Sequence, residues 1–152
     1  MNKVSGRRAA RRYAFHLIFG LPFVETGVEE LARTKAAYFE YLDDENLPRP
    51  KGRDAEYLDR AFWGVFERLG ELDGVIENFL RDWTPDRICK VDLAIMRLAI
   101  YEMLCEKDVP LGAAVNEAVE LAKEFSADES PAFINGVLGN VAREIKAKGR
   151  EI

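Results

Sequence analysis

Five cations stand in the first dozen residues, Lys3, Arg7, Arg8, Arg11 and Arg12, and no acidic residue precedes Glu25. Guanidinium groups grip phosphate oxygens in bidentate fashion, so a cluster of this kind suits a polyanion. The remainder of the chain has the opposite sign. Setting those five aside leaves 17 Lys and Arg against 27 Asp and Glu, a charge of −10 within a whole of −5. A basic arm on an acidic body points to two partners, one polyanionic and one basic.

On a helix Arg8, Arg12, His16 and Phe19 step by four, four and three, which gives one surface row running from cationic to aromatic, with Arg7 and Arg11 beside it. Phosphate grip next to a ring that can stack a splayed base is the combination that single-stranded RNA binding uses. Four or five phosphate contacts on a single strand would give a log-affinity against log-salt slope of about −3. Local stability does not explain the arginines, because a helix start disfavours positive charge by ~0.3–1 kcal/mol per exposed residue. From these residues alone three readings stay open: RNA, an acidic protein or membrane surface, and a solvated basic face with Phe19 in the core. His16 is either a half-buried helical histidine or a ligand contact on the basic face.

Little else in the chain is arranged for chemistry. There is one histidine, and there is no Gly-rich phosphate loop, nucleophile elbow or metal-spaced Cys/His cluster. No catalytic residue, metal or cofactor is expected. Asp43-Asp44 and Asp128-Glu129 read as solvated turn carboxylates. Cys89 and Cys105 lie in apolar-periodic segments without a C-x-x-C pair, which reads as buried packing residues in a reducing cytosol. The arginines ahead of the apolar run 13–24 imitate a secretory signal, but His16 interrupts the run, Pro22 follows and no small-x-small cleavage pattern appears. No segment approaches the ~20 apolar residues that span a bilayer, so a cytoplasmic, non-membrane protein is expected.

The elements that must position the basic row are helical, since almost nothing in the chain alternates with period two. The first helix is expected over about 6–21, with Ala10, Ala14, Leu17 and Leu21 inward and Pro22 ending it. A second covers about 28–42, and the charged, proline-rich stretch 43–53 is a loop. A stripe from Leu58 through Phe62, Val65, Leu69, Leu72, Ile76 and Phe79 to Trp83 predicts one long helix over 54–83, about 45 Å at ~1.5 Å per residue, which Gly64, Gly70 or Gly74 could bend or divide. Thr84-Pro85 caps a short helical turn over 86–89. The segment 91–106 is apolar nearly all round and belongs at the centre. Helices over 110–125 and from the Ser130-Pro131 cap to about 148 complete an all-α architecture of seven helices, one short. Gly136 and Gly139 each cost the last helix about 1 kcal/mol relative to alanine, which implies close helix packing or close approach of a ligand beside Phe133 and Asn135.

The run VDLAIMRLAIYE over 91–102, the step Val109-Pro110, the block NEAVELAK within 115–125 and FINGVL over 133–138 resemble the NusB family of transcription antitermination factors. With the arginine-rich first helix the resemblance covers essentially the whole chain, most weakly between Pro22 and Arg53. It implies two three-helix bundles packed across each other, one RNA-binding domain over 1–152 with subdomains of about 1–83 and 84–152. It also implies a factor that binds the boxA element of nascent RNA together with ribosomal protein S10 (NusE). With other Nus factors and RNA polymerase it would support read-through in ribosomal RNA operons. By position, the RNA side would comprise Lys3, Arg7, Arg8, Arg11, Arg12, His16, Phe19, Phe133 and Asn135, and Asp92 and Glu129 would lie on the protein-partner side. Many members carry Gln and Tyr where His16 and Phe19 stand, so stacking survives here without that amide and phenol. NusB-like proteins occur as monomers and dimers, and a homodimer hiding the RNA helix is one expectation. A NusB-like module also begins some ribosomal RNA cytosine methyltransferases, but a chain ending at Ile152 is expected to lack room for their catalytic domain. A helical adaptor on an acidic membrane surface is the third reading.

Overall fold

The computed structural model describes residues 6–20, 27–80 and 87–149, and within them the chain is all α with seven helices. Lys3, Leu21, Pro22, Trp83 and the Thr84-Pro85 cap lie outside the described residues. The chain forms two compact units, 1–62 and 63–152, the division falling inside the third helix.

In the first unit, α1 (Gly6–Phe19) buries Ala10, Ala14 and Leu17, as its periodicity predicts, and also Arg11, Phe15 and Ile18. Helix α2 (Val28–Asp44) follows Gly27, and Glu29 and Glu30 in its first turn suit the positive end of the helix dipole. Only Leu31 and Leu42 of α2 are buried; Tyr38 and Phe39 are half-buried, and Ala32 and Ala36 are exposed. The turn after α2 uses a left-handed Asn46 (φ 56°), a conformation asparagine tolerates. It closes at Gly52, also left-handed (φ 56°), before α3 (Arg53–Glu67) begins with Asp54 and Glu56 in its first turn. Tyr57, Leu58, Ala61 and Phe62 of α3 are fully buried.

The expected helix over 54–83 is two helices. Arg68, at φ −115° and ψ 16°, breaks it, and α4 (Leu69–Phe79) starts at the next residue. None of the three glycines is the break. Gly70 and Gly74 have open space where a Cβ would stand, whereas Gly64 lies against Tyr101, whose ring a Cβ at 64 would strike. The close approach required at Gly64 is therefore a packing demand.

In the second unit α5 (Lys90–Cys105) is the central helix, with every residue from 92 to 103 buried except Arg97. Arg97 is half-buried and forks onto the Asp73 carboxylate of α4 at 2.8 and 2.7 Å. Tyr101 donates to the buried Glu106 at 2.8 Å. Helices α6 (Leu111–Phe125) and α7 (Ser130–Ala147) pack against α5 and each other, and α4 packs on α5 and α7.

Three local expectations need correction. Cys89 is exposed, because it is the extended residue preceding α5 rather than part of a packed stripe, and Cys105 is half-buried at the last turn, where burial raises its thiol pKa. The residue preceding α7 is Glu129, not Ser130, whose hydroxyl is drawn to the Asp92 carboxylate of α5. Gly136 and Gly139 serve no close helix packing: a Cβ at 136 would meet nothing, and one at 139 would approach only the Arg143 side chain.

Candidate nucleic-acid interface

Helix α1 separates its arginines into two sets. Arg7 and Arg11 turn toward α3. The Arg7 Nε lies 3.2 Å from Asp54 Oδ1, and the guanidinium stands 4.5 Å from the centre of the Tyr57 ring. Arg11 is buried, 6 % exposed, with its guanidinium 5.7 Å from the same ring. A desolvated cation over an aromatic face is attractive, so both residues fasten α1 to α3.

The row that sequence periodicity assembles is on another side of α1. Arg8 is exposed, Arg12 and His16 are half-buried and Phe19 is 44 % exposed. Phe19 is outside the core, stacked on Phe15 with ring centres 6.1 Å apart and planes at 25°. One face of its ring is supported from behind, as a base-stacking platform requires. His16 Nδ1 is 3.1 Å from the Tyr38 hydroxyl of α2. When Tyr38 donates, a neutral His16 carries its proton on Nε2 and retains one donor. Burial pushes the Tyr38 hydroxyl well above its usual pKa, with the neighbouring Tyr13 and Tyr41 hydroxyls adding to the rise, so the group stays protonated.

Sequence reasoning missed the aromatic continuation onto α2. Tyr38 meets Tyr13 edge-on at 6.2 Å and stacks on Tyr41 at 6.0 Å and 24°, and Tyr41 is 52 % exposed. Its one signal was the i, i+3 spacing of Tyr38 and Tyr41; the Tyr57 bracket beneath Arg7 and Arg11 had none.

The other expected residues belong to the second unit. Phe133 and Asn135 are exposed on α7 beside Gly136. Glu129 is exposed at the start of α7, whereas Asp92 is 6 % exposed. The Asp92 carboxylate accepts Ser126 Oγ at 2.5 Å and Ser130 Oγ at 2.8 Å, and so ties α5 to the turn between α6 and α7. Among the described residues no group of three or more His, Cys, Asp and Glu is placed to hold a metal, and no helix is long and apolar enough to cross a membrane.

Comparison with known proteins adds to this geometry. Residues 8–143 match the model of the NusB family. The transcription antitermination protein NusB of Acetivibrio thermocellus is 45% identical over 138 residues, covering 91% of this chain and 89% of that protein. The protein of the same name from Agathobacter rectalis is 41% identical over 136 residues, covering 90% and 98%. Among solved structures, T. maritima NusB superposes with a TM-score of 0.74 at 30% identity, covering 93% of this chain and 94% of that one. The fold is also that of a crystal structure of antitermination factors NusB and NusE in complex with dsRNA, with a TM-score of 0.72 at 23% identity and coverage of 91% and 96%.

Proposed function

This chain belongs to the NusB family, and from that premise we propose that it is a transcription antitermination factor. It binds boxA-type single-stranded nascent RNA together with ribosomal protein S10 (NusE) and supports transcription of ribosomal RNA. The observation that carries the RNA half is the α1 row, in which exposed Arg8 and half-buried Arg12 lead to His16 and to a Phe19 ring backed by Phe15. Arg8 and Arg12 grip phosphates, Phe19 stacks a base, and Lys3 adds charge from outside the described residues. Phe133 and Asn135, exposed on α7, supply a second aromatic and a side-chain amide for RNA. The acidic remainder of the chain supports docking of a basic ribosomal protein, with the exposed Glu129 on that side and Asp92 shaping the turn that carries it.

The mechanism is non-catalytic and acts in the cytoplasm, where the RNA and S10 complex joins other Nus factors and RNA polymerase. A homodimer that covers α1 would hold the protein inactive until RNA arrives. Titration of labelled boxA-type and scrambled RNA, with and without S10, tests the proposal. Tighter binding of the boxA-type strand in the presence of S10 is expected; equal affinity for both strands would reduce the activity to nonspecific binding and refute the assignment. Sedimentation at several concentrations checks the dimer, which RNA should dissociate.

A further inference from the structure

The proline-rich loop after α2 received no role from the sequence, yet it builds a cavity against α1. The cavity has a volume of about 250 Å³. Its walls are Ala9, the Tyr13 ring, Pro48 and Pro50, with Lys51 and Arg49 also lining it and Asp54 contributing a carboxylate. The loop is fastened beside it. Tyr13 donates its hydroxyl to the Pro48 carbonyl at 3.0 Å. Arg49 forks onto the Asp43 carboxylate at 2.9 and 2.6 Å, and its guanidinium lies 5.1 Å from the centre of the Phe39 ring. These attachments hold the cavity open before a ligand arrives, which removes part of the ordering cost of binding.

The chemistry of the lining selects the ligand. An aromatic ring and two proline rings present flat apolar surface, the exposed Lys51 offers a phosphate contact, and the Asp54 carboxylate, held by Arg7, can accept an N–H from a base edge. The volume is below the ~300–1,000 Å³ of pockets for drug-sized ligands, which suits one base rather than a longer fragment. The cavity also continues the α1 row, because Arg12 is the neighbour of Tyr13 and its positive charge acts on the Tyr13 hydroxyl. Lys51 has no side-chain partner among the described residues and is exposed.

We propose that the Tyr13–Pro48–Pro50 cavity is a second nucleotide subsite, which takes one unstacked base of the RNA strand flanking the segment on α1 and places its phosphate against Lys51. The inference rests on the RNA-binding reading above. It separates a core contact, made by the α1 row, from a flanking contact made by the loop. A purine with an exocyclic amino group is the best match, since that group would donate to Asp54.

The experiment compares a minimal boxA-type oligonucleotide with the same strand extended by a few nucleotides at either end, using the full chain with S10 present. One of the two extensions should tighten binding by about tenfold, within the range of a single stacked base. Lys51→Ala and Pro50→Gly should each reduce that gain and leave the affinity for the minimal strand unchanged. Lys51→Ala should also make the salt slope of the extended strand shallower by about 0.7, the value for one phosphate on a single strand. Photocrosslinking of a thio-substituted base in the extension should label Tyr13. If the minimal strand does not bind, the RNA-binding reading itself fails. If it binds but neither extension adds affinity, or if Lys51→Ala weakens S10 binding while the gain from extension persists, the subsite alone is overturned.

Discussion

The division of α1 into inward and outward arginines predicts a separation of salt dependence from stability. Arg8 and Arg12 face outward, whereas Arg7 is held by Asp54 and Tyr57 and Arg11 is buried at 6 % exposure. Each phosphate contact on a single strand contributes about −0.7 to the slope of log affinity against log salt, so two contacts give about −1.4. Lys3, outside the described residues, would extend this to about −2.1. Both values are shallower than the −3 expected when Arg7 and Arg11 are counted as phosphate ligands. With Lys3 included, a fourfold rise in salt weakens binding about 18-fold. Replacing Arg8 and Arg12 together by Ala leaves Lys3 alone, and the same rise weakens binding only about 2.6-fold. Arg11→Ala should leave the slope unchanged. It should instead lose a cation over Tyr57 worth up to about 2 kcal/mol, a fall in Tm of roughly 4–8 °C for a chain of this size. Fluorescence anisotropy between 50 and 200 mM salt reads the slopes, and calorimetry reads the Tm. A slope that drops with Arg11→Ala while Tm holds, or one that survives loss of Arg8 and Arg12, refutes the division.

Three further outcomes follow from the packing. Gly64→Ala should destabilise the fold, because overpacking against Tyr101 costs about 1–3 kcal/mol and exceeds the helix-propensity gain, whereas Gly136→Ala, with open space at its Cβ, should stabilise it by about 1 kcal/mol; thermal melts should move in opposite directions. Tyr38 keeps its proton above the ordinary value of 10.0, so the contribution of its neutral hydroxyl is complete below pH 10 and lost as pH rises beyond it. In alkaline denaturant titrations the stability difference between the native chain and Tyr38→Phe should therefore shrink above pH 10, and a constant difference would exclude Tyr38 as its source. Asp92→Ala leaves the Ser126 and Ser130 hydroxyls without their carboxylate, at a cost of about 1–3 kcal/mol, and amide exchange should accelerate first across residues 126–130.

The helices were legible wherever one periodicity governed the segment. Helix α5 was the clearest case, since a stretch apolar on nearly every side has no place but the centre, and all of 92–103 apart from Arg97 is buried. The break at Arg68 was less legible because glycine is the conspicuous breaker, while Gly64 is required by Tyr101 and Gly70 and Gly74 meet nothing. At the candidate interface, spacing placed Arg8, Arg12, His16 and Phe19 in one row. It could not assign Arg7 and Arg11, because the groups that claim them, Asp54 and Tyr57, stand more than 40 residues along the chain. Asp92 illustrates the same limit: the family resemblance suggested a partner contact, and hydroxyls 34 and 38 residues away occupy its oxygens.

The Tyr57 bracket fixes the rotational phase of α1 about its own axis. A helix advances about 100° per residue, so deleting one residue between Arg12 and His16 would swing His16 and Phe19 by that angle relative to the arginines that Tyr57 indexes. The basic charge would be unaltered and the helix could still form, yet cations and ring would address different strands. The proposed RNA-contact row is keyed like a shaft, and its alignment can be lost without losing any of its chemistry.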